Sequence, residues 1–469
     1  MLFTIAIIIA GIWSISKVPI DAVPDITNNQ VQVITQSLNL GTEEIEQYVS
    51  YPIEMAVSNL PGVLEIRSVS RFGLSVVTIV FEDDMGTYLP RQLVAEKLNE
   101  LRDEIPENFG TPFMGPITTG LGEIYQYTLE VDSAFKDQYS LYDLRTIQDW
   151  IIKRQMSMIP GVIEINAFGG AVKQYEVAIN PHQLNAMNIS MDEVFQALQD
   201  NNANTGGAYI EYDYRANFIR GEGLVRNISD IENIVVKTIN EVPIKVKDVA
   251  KVGFGNAVRY GAFTKNGEGE AVGGIVMMLK GENSNEVIKL VKERMIEIEA
   301  SLPEGISLEG FLDRTELIKS TTSTVTTNLT EGALIVIFVL VFLLGNWRGG
   351  LIVASTIPIS LLFAFILMNV FDVWANLMSL GAIDFGIIVD GAVIIVEGTV
   401  FLLYQKVLNK EKIDASVRDE TAEKASKEMM RSAFFGQLII LIVFLPILAL
   451  QGIEGKMFQP MALTFIFAM

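Results

Sequence analysis

Apolar residues run without long interruption through Leu2–Ile12, Gly332–Leu344, Leu351–Val370, Leu377–Leu403, Ala433–Leu450 and Met457–Met469. A helix that crosses the hydrocarbon core of a membrane needs about 20 apolar residues. The middle four runs reach that length with their flanks, whereas the first and last stop at the chain ends. Leu2–Ile12 has the length of a signal-peptide core but lacks a basic lead and a small-residue cleavage site, so a membrane helix is the better reading.

Between the first two runs, Lys17–Glu331 follows other periods. Glu44–Leu60 is a helical pattern that ends in Pro61-Gly62-Val63 and is followed by an alternating strand, Ser75–Phe81. Leu141–Ile159 is again helical, ends in Pro160-Gly161-Val162 and is followed by a strand at Tyr175–Ile179. Helices at Gln92–Ile105 and Asn285–Leu302 each close on a Pro/Gly turn. A single Pro-Gly stop after a helix is commonplace. Two in matching contexts predict a duplicated α+β module, a split βαβ unit with its helices on one face of a sheet. Asn202–Gly223, rich in Asn, Gly and Tyr, predicts a hairpin inserted into the second module.

Charge sharpens this division. The chain of 469 residues is half hydrophobic yet carries a net charge of −21, and its mean hydropathy is +0.35. Lys17–Glu331 holds 26 Lys/Arg against 45 Asp/Glu, which accounts for nearly all the excess. An acidic water-exposed domain joined to membrane spans explains both numbers. The short loops set the orientation. Tyr404–Arg431 carries Lys406, Lys410, Lys412, Arg418, Lys424, Lys427 and Arg431, and the turn after the second run carries Arg348. Both belong on the cytoplasmic side by the positive-inside rule, which puts Lys17–Glu331 outside.

Composition removes several functions. The chain has no cysteine and one histidine, His182, so disulfides, thiolate metal sites, Fe–S clusters, His-rich metal sites and His-based triads are excluded. No Gly-rich loop closes on Gly-Lys-Ser/Thr, no cofactor is implied, and so acidic a chain repels nucleic acid. No constellation supports an enzyme.

The chemistry concentrates in the fourth run, which contains Asp384, Asp390 and Glu397 and neither lysine nor arginine. A carboxylate at mid-membrane costs at least about 2.5–3.5 kcal/mol and marks function by default. Removal from water raises a carboxyl pKa, which suits proton uptake and release near neutral pH. Bland readings stand beside this one: Glu397 at the cytoplasmic interface facing water, or Asp384 as a polar packing residue. Asp390, inside an otherwise apolar stretch, admits the bland reading least. At about 100° and 1.5 Å per residue, Glu397 falls about 20° round the helix from Asp390 and about 10.5 Å along it, with Asp384 about 120° to the side. Gly381, Gly386, Gly391 and Gly398 fit close helix approach. His182 reads as a surface loop residue, Met277-Met278 as strand core before a soft-metal site, and Asp83-Asp84 as a solvated turn.

Four stretches carry a resemblance. Val18-Pro-Ile-Asp-Ala-Val-Pro-Asp-Ile-Thr-Asn-Asn-Gln-Val, the segment from Leu60-Pro-Gly-Val to Arg71-Phe-Gly-Leu-Ser, Met114-Gly-Pro-Ile-Thr-Thr-Gly-Leu-Gly-Glu, and Asp384-Phe-Gly-Ile-Ile-Val-Asp-Gly-Ala resemble the resistance–nodulation–division transporters. More narrowly they are similar to the heavy-metal efflux branch, of the cobalt–zinc–cadmium type. The resemblance implies a polytopic α-helical protein of the bacterial inner membrane with a large periplasmic α+β domain of repeated split βαβ (ferredoxin-like) porter subdomains. It implies a homotrimeric antiporter of protons and divalent metal cations (Zn, Co, Cd, Ni), working with a periplasmic adaptor and an outer-membrane channel. Asp384, Asp390 and Glu397 fall on the family's proton-relay positions, and metal ligands stay unassigned.

The organisation expected on that basis is a first helix over 1–16, a first porter subdomain over 17–118, and a second over 119–327 with a docking hairpin region at about 180–270. Spans follow at 328–347, 350–371 and 376–404, then a cytoplasmic loop over 405–431 and spans at 432–451 and 457–469. The family is roughly twice this length, with a second half that repeats the first, so the chain is expected to be a fragment of a longer reading frame. Gly398 stands where the motif commonly has Asn. The multidrug branch has adjacent aspartates in this span, whereas here Asp390 precedes Gly391 and the further carboxylate lies earlier, at Asp384. That arrangement resembles the divalent-metal group. Copper/silver pumps rely on methionine clusters, in keeping with the preference of Cu(I) for thioethers. Cu(I)/Ag(I) or multidrug export are the nearer alternatives. An envelope scaffold is the more distant one and has no use for ionisable groups in a span.

Overall fold

The structure, a computed structural model, describes residues 2–37, 40–102, 105–106, 109–239, 241–259, 261–381, 383, 385–409 and 414–469. The first sheet has strands β1 (Asn29–Gln36), β2 (Val63–Arg71), β3 (Leu74–Phe81) and β4 (Phe113–Met114) in the spatial order β2-β3-β1-β4. Its inward positions are set by simple alternation. Asn29, Val31, Val33 and Thr35 of β1 are buried and the residues between them are not, as a half-buried strand requires. A helix over 42–57 and a second at Tyr88–Leu101 cover that face, and Ile45, Val49, Ile53, Val57 and Val94 join Val31, Val33, Val77 and Ile79 in one core.

The second sheet begins with β5 (Glu123–Val131) and β6 (Val162–Gly169). The chain then leaves it to form β7 (Lys173–Ile179), β8 (Thr205–Tyr212), β9 (Arg215–Gly221), β10 (Val235–Ile239), β11 (Val242–Lys245) and β12 (Ala250–Asn256). It returns for β13 (Val272–Met278) and β14 (Ile306–Asp313). The order β14-β5-β13-β6 matches the first sheet when strands are numbered within each module. Its helices, over 141–156 and at Ser284–Glu299, likewise share one face and one core with Ile124, Tyr127, Ile165 and Val276. Each module also has a π-helical turn in its first helix, at Glu46–Ser50 and Gln148–Ile152. Each turn aims a buried polar side chain at the sheet. The Ser50 hydroxyl lies 2.7 Å from that of Ser70 and 2.8 Å from that of Ser75, and Gln148 Oε1 accepts from the Tyr127 hydroxyl at 3.1 Å.

One expected correspondence is corrected. The strand at Tyr175–Ile179 is real but does not belong to the second module's sheet, because β7 pairs with β12. The third module strand is β13, about a hundred residues further on. The cause is local: Gly169 and Gly170 both adopt positive φ (70° and 66°) and turn the chain away from the sheet. A Cβ at Gly169 would strike the Ala271 carbonyl, so only glycine lets the outgoing and returning chains lie side by side there. In the first module the same step is a tight turn at Gly73. The hairpin expected over Asn202–Gly223 is β8–β9. It is exposed on both faces, with Tyr209, Tyr212, Tyr214 and Phe218 all outside.

Four helices are long and apolar enough to cross a membrane among the described residues: Arg314–Leu344, Trp347–Val370, Leu377–Leu408 and Ala415–Leu448, with a shorter apolar helix at Leu2–Ile15. Little of their apolar surface is buried within the chain. Phe338, Phe342, Leu343, Phe434, Ile439 and Val443, for example, are all exposed. Two of these helices run well past the apolar runs that predicted them. Arg314–Leu344 starts directly from β14, with Asp313 as its N-cap, its side chain accepting from the Thr315 N–H at 2.9 Å. Residues 415–431 of the polar stretch are helical, since Ala415–Leu448 runs 34 residues, about 51 Å at 1.5 Å per residue, against a hydrocarbon core of about 30 Å.

Candidate functional site

Among the described residues the fourth apolar run holds the helical segments Leu377–Gly381 and Phe385–Leu408. Asn376 and Ser379 open the first of these. The Asn376 N–H donates to the Ser379 hydroxyl oxygen at 2.9 Å, and the Ser379 N–H donates back to Asn376 Oδ1 at 2.8 Å. Both are almost fully buried, so this reciprocal cap satisfies donors that have no water to turn to. The Asn-x-x-Ser spacing was visible in the sequence and is the signal that reasoning from apolar runs passes over.

Phe385, Ile388, Val389 and Gly391 face inward on the second helix. Gly391 and Gly398 form the seam with Ala415–Leu448: a Cβ on Gly391 would lie 2.7 Å from Gln437 Nε2, and one on Gly398 2.9 Å from Met429 Cγ. On the other side Gly349 approaches Val396, at 3.3 Å from its own would-be Cβ. These contacts fix the helix's rotation. They leave Asp390 and Glu397 on its opposite, exposed stripe, together with Phe401, Tyr404 and Leu408. The two carboxylates are seven residues and so two turns apart, about 10.5 Å along the axis and about 20° out of line. That distance excludes a shared proton without an intermediary. No ion pair among the described residues includes either group. Asp384 lies outside the described residues.

The remaining candidates resolve simply. His182 is exposed in the short helix Pro181–Met187, where its N–H donates to Asn180 Oδ1. Met277 and Met278 point to opposite faces of β13, as neighbours on a strand must. Met278 is in the core and Met277 Sδ accepts from Asn166 at 3.0 Å, so they make no paired thioether site. Asp83 is not merely solvated, because it pairs with Lys456 at 2.7 Å. Among the described residues no group of three or more His, Asp or Glu is placed to hold a metal ion.

The chain thus combines an apolar helix carrying two carboxylates on one uncovered stripe with a duplicated α+β module. The chain belongs to the AcrB/AcrD/AcrF family, which it matches over residues 1–469. It is 46% identical over 464 residues to the cobalt-zinc-cadmium resistance protein CzcA of Cupriavidus metallidurans, aligning 98% of this chain with 44% of that protein. It is 45% identical over 477 residues to Protein HelA of Legionella pneumophila, with 100% of this chain on 45% of that one. Among solved structures, the crystal structure of a heavy metal efflux pump (crystal form II) matches with a TM-score of 0.87 at 35% identity, covering 100% of this chain and 45% of that chain. The chain thus spans less than half the length of these relatives.

Proposed function

We propose that the chain is part of a proton-driven pump that exports divalent metal cations from the bacterial cell envelope. The apolar helices cross the inner membrane, and the two sheet modules stand in the periplasm as ferredoxin-like porter subdomains. The pump is a homotrimer that meets a periplasmic adaptor and an outer-membrane channel, with the exposed β8–β9 hairpin as a docking element. Asp390 and Glu397 form one proton path, with Asp384 on its flank.

The observation that carries this reading is the stripe on Phe385–Leu408. A carboxylate facing lipid is expensive, so a stripe with two of them at helical spacing faces protein or water, and exchanges protons there. One proton falling through about 100 mV supplies about 2.3 kcal/mol and each pH unit about 1.36 kcal/mol, enough for a several-hundred-fold metal gradient per proton. The cobalt-zinc-cadmium protein among the similar sequences favours a divalent substrate over Cu(I), Ag(I) or organic drugs.

The test is the pump containing this chain, reconstituted in liposomes with an imposed pH difference. Zn(II), Co(II), Cd(II) or Ni(II) is expected to move against its gradient, and Asp390→Asn, which keeps the shape but cannot ionise, to stop it while the protein stays folded. Asp384→Asn is expected to impair transport less. Active metal transport by Asp390→Asn defeats the relay, and transport confined to Cu(I), Ag(I) or dyes defeats the substrate class.

A further inference from the structure

The segment after the first helix is tied in two directions at once. On one side its backbone pairs with the residues that lead into the carboxylate helix. The Asp21 N–H donates to the Ala375 carbonyl at 3.0 Å, the Ala375 N–H donates to the Pro19 carbonyl at 3.0 Å, and the Leu377 N–H reaches the Ala22 carbonyl at 3.4 Å. Ile20 and Ala375 form the corresponding parallel bridge. Ala375 is completely buried and adjoins the Asn376–Ser379 cap.

On the other side the Asp21 carboxylate grips the second module. Both of its oxygens accept from Arg314 Nη2, at 2.8 and 2.9 Å, and the Ser284 hydroxyl lies 3.5 Å from Oδ2. Arg314 in turn donates from Nη1 to the Leu121 carbonyl. Arg314 opens the helix that continues β14, Ser284 opens the module's second helix, and Leu121 sits just ahead of β5. The Asp21–Arg314 pair therefore ties the start of an apolar helix to two parts of the module, at Ser284 and Leu121. The side chains are 7% and 9% exposed, so neither charge can slide from the other without being left buried and unpaired, a state proteins avoid strongly.

We propose that Asp21 and Arg314 form a positioning joint: displacement of the carboxylate helix is passed through Ala375 and the Pro19–Ala22 strap to the second sheet module, and so couples proton uptake to metal movement. This rests on the reading of Asp390 as the proton-carrying group. The joint touches neither proton nor metal. It stays closed throughout the cycle, and its role is to make two bodies move as one.

The experiment measures proton and Zn(II) flux together in liposomes containing the pump. Asp21→Asn is expected to bind Zn(II) in detergent as the unaltered protein does and to pass protons within threefold of its rate. Its Zn(II) moved per proton should fall at least tenfold. Arg314→Lys, which keeps the charge and loses the fork, should give an intermediate ratio. An unchanged ratio in Asp21→Asn overturns the joint, and so does an equal loss of both fluxes. Asp390→Asn separates this from the functional reading, since it should abolish both fluxes; if it does not, the relay fails whatever Asp21→Asn does. Should Asp21→Asn not fold, the pair Ile20→Cys and Ala375→Cys decides, these 469 residues having no other cysteine and any elsewhere in the pump being replaced first. Bridge partners lie within disulfide reach. The oxidised form is expected to transport at the normal ratio, and inactivation reversed by reduction overturns a joint that stays closed.

Discussion

Gly274→Ala is the most demanding test of the second module, because the added methyl group has nowhere to go. Gly274 lies mid-strand in β13, buried against β5. Its Cβ would stand 2.6 Å from Tyr127 Cζ and 2.8 Å from Gln148 Nε2, and would strike the Tyr127 hydroxyl. Tyr127 is fully buried, and burial, ahead of any other influence, holds its phenol proton on well beyond the ordinary range. The ring can yield only by giving up its hydrogen bond to Gln148, the residue that opens the π-helical turn. Overpacking costs about 1–3 kcal/mol and a lost hydrogen bond about 1 kcal/mol, so the sum is about 2–4 kcal/mol. Hydrogen exchange of the β5 and β13 amides in the purified protein reads that loss directly as local opening. Protection should fall about 30- to 700-fold, at 1.4 kcal/mol per decade. Adding Tyr127→Phe removes the struck hydroxyl and should return part of the protection, a coupling expected for residues in contact. Protection unchanged within threefold in Gly274→Ala, or a double variant worse than the sum of the singles, refutes the packing account.

Three further outcomes are expected. Lys265 binds Glu130 at 2.7 Å and also pairs with Glu309. Burial pushes the Glu130 carboxyl up, but the hydrogen bonds from Lys265 and Thr128, with the Lys265 charge, outweigh it and hold the group below its usual value. A depressed carboxylate stabilises above its unfolded pKa of about 4.3 and loses that contribution as pH falls through the folded value. The thermal midpoint of Lys265→Met should therefore trail the unaltered protein at pH 7 and approach it below about pH 4; a gap independent of pH rejects this. Gly350→Ala places a Cβ 2.6 Å from Val341 Cγ2 and 3.0 Å from its Cα, where backbone cannot yield, so overpacking of about 1–3 kcal/mol should lower the monodisperse fraction after detergent extraction. On the function proposed above, replacing Tyr214 and Phe218 of the exposed β8–β9 hairpin with Ser should leave metal transport in liposomes intact and reduce metal resistance in cells; equal loss in both would assign the hairpin to the protein's own fold.

Sequence alone determined what depends on neighbours along the chain. The four middle apolar runs became the long apolar helices among the described residues, since length and composition are local properties, and the paired helix-Pro-Gly stops marked two modules because capping is local. Asp390 and Glu397 were legible because a seven-residue spacing fixes their common stripe on any helix. Tertiary structure decided what depends on closing long loops. The strand that completes the second sheet is β13 and not β7, a choice made by the backbone that returns beside Gly169 at Ala271. Which face of Phe385–Leu408 is covered was decided by contacts at Gly391 and Gly398, not by the helix's own nearly uniform apolar surface. The Asp21–Arg314 pair joins residues 293 positions apart. Neither residue stands out in its own surroundings, because a buried charge is recognisable only once the fold has removed the water around it.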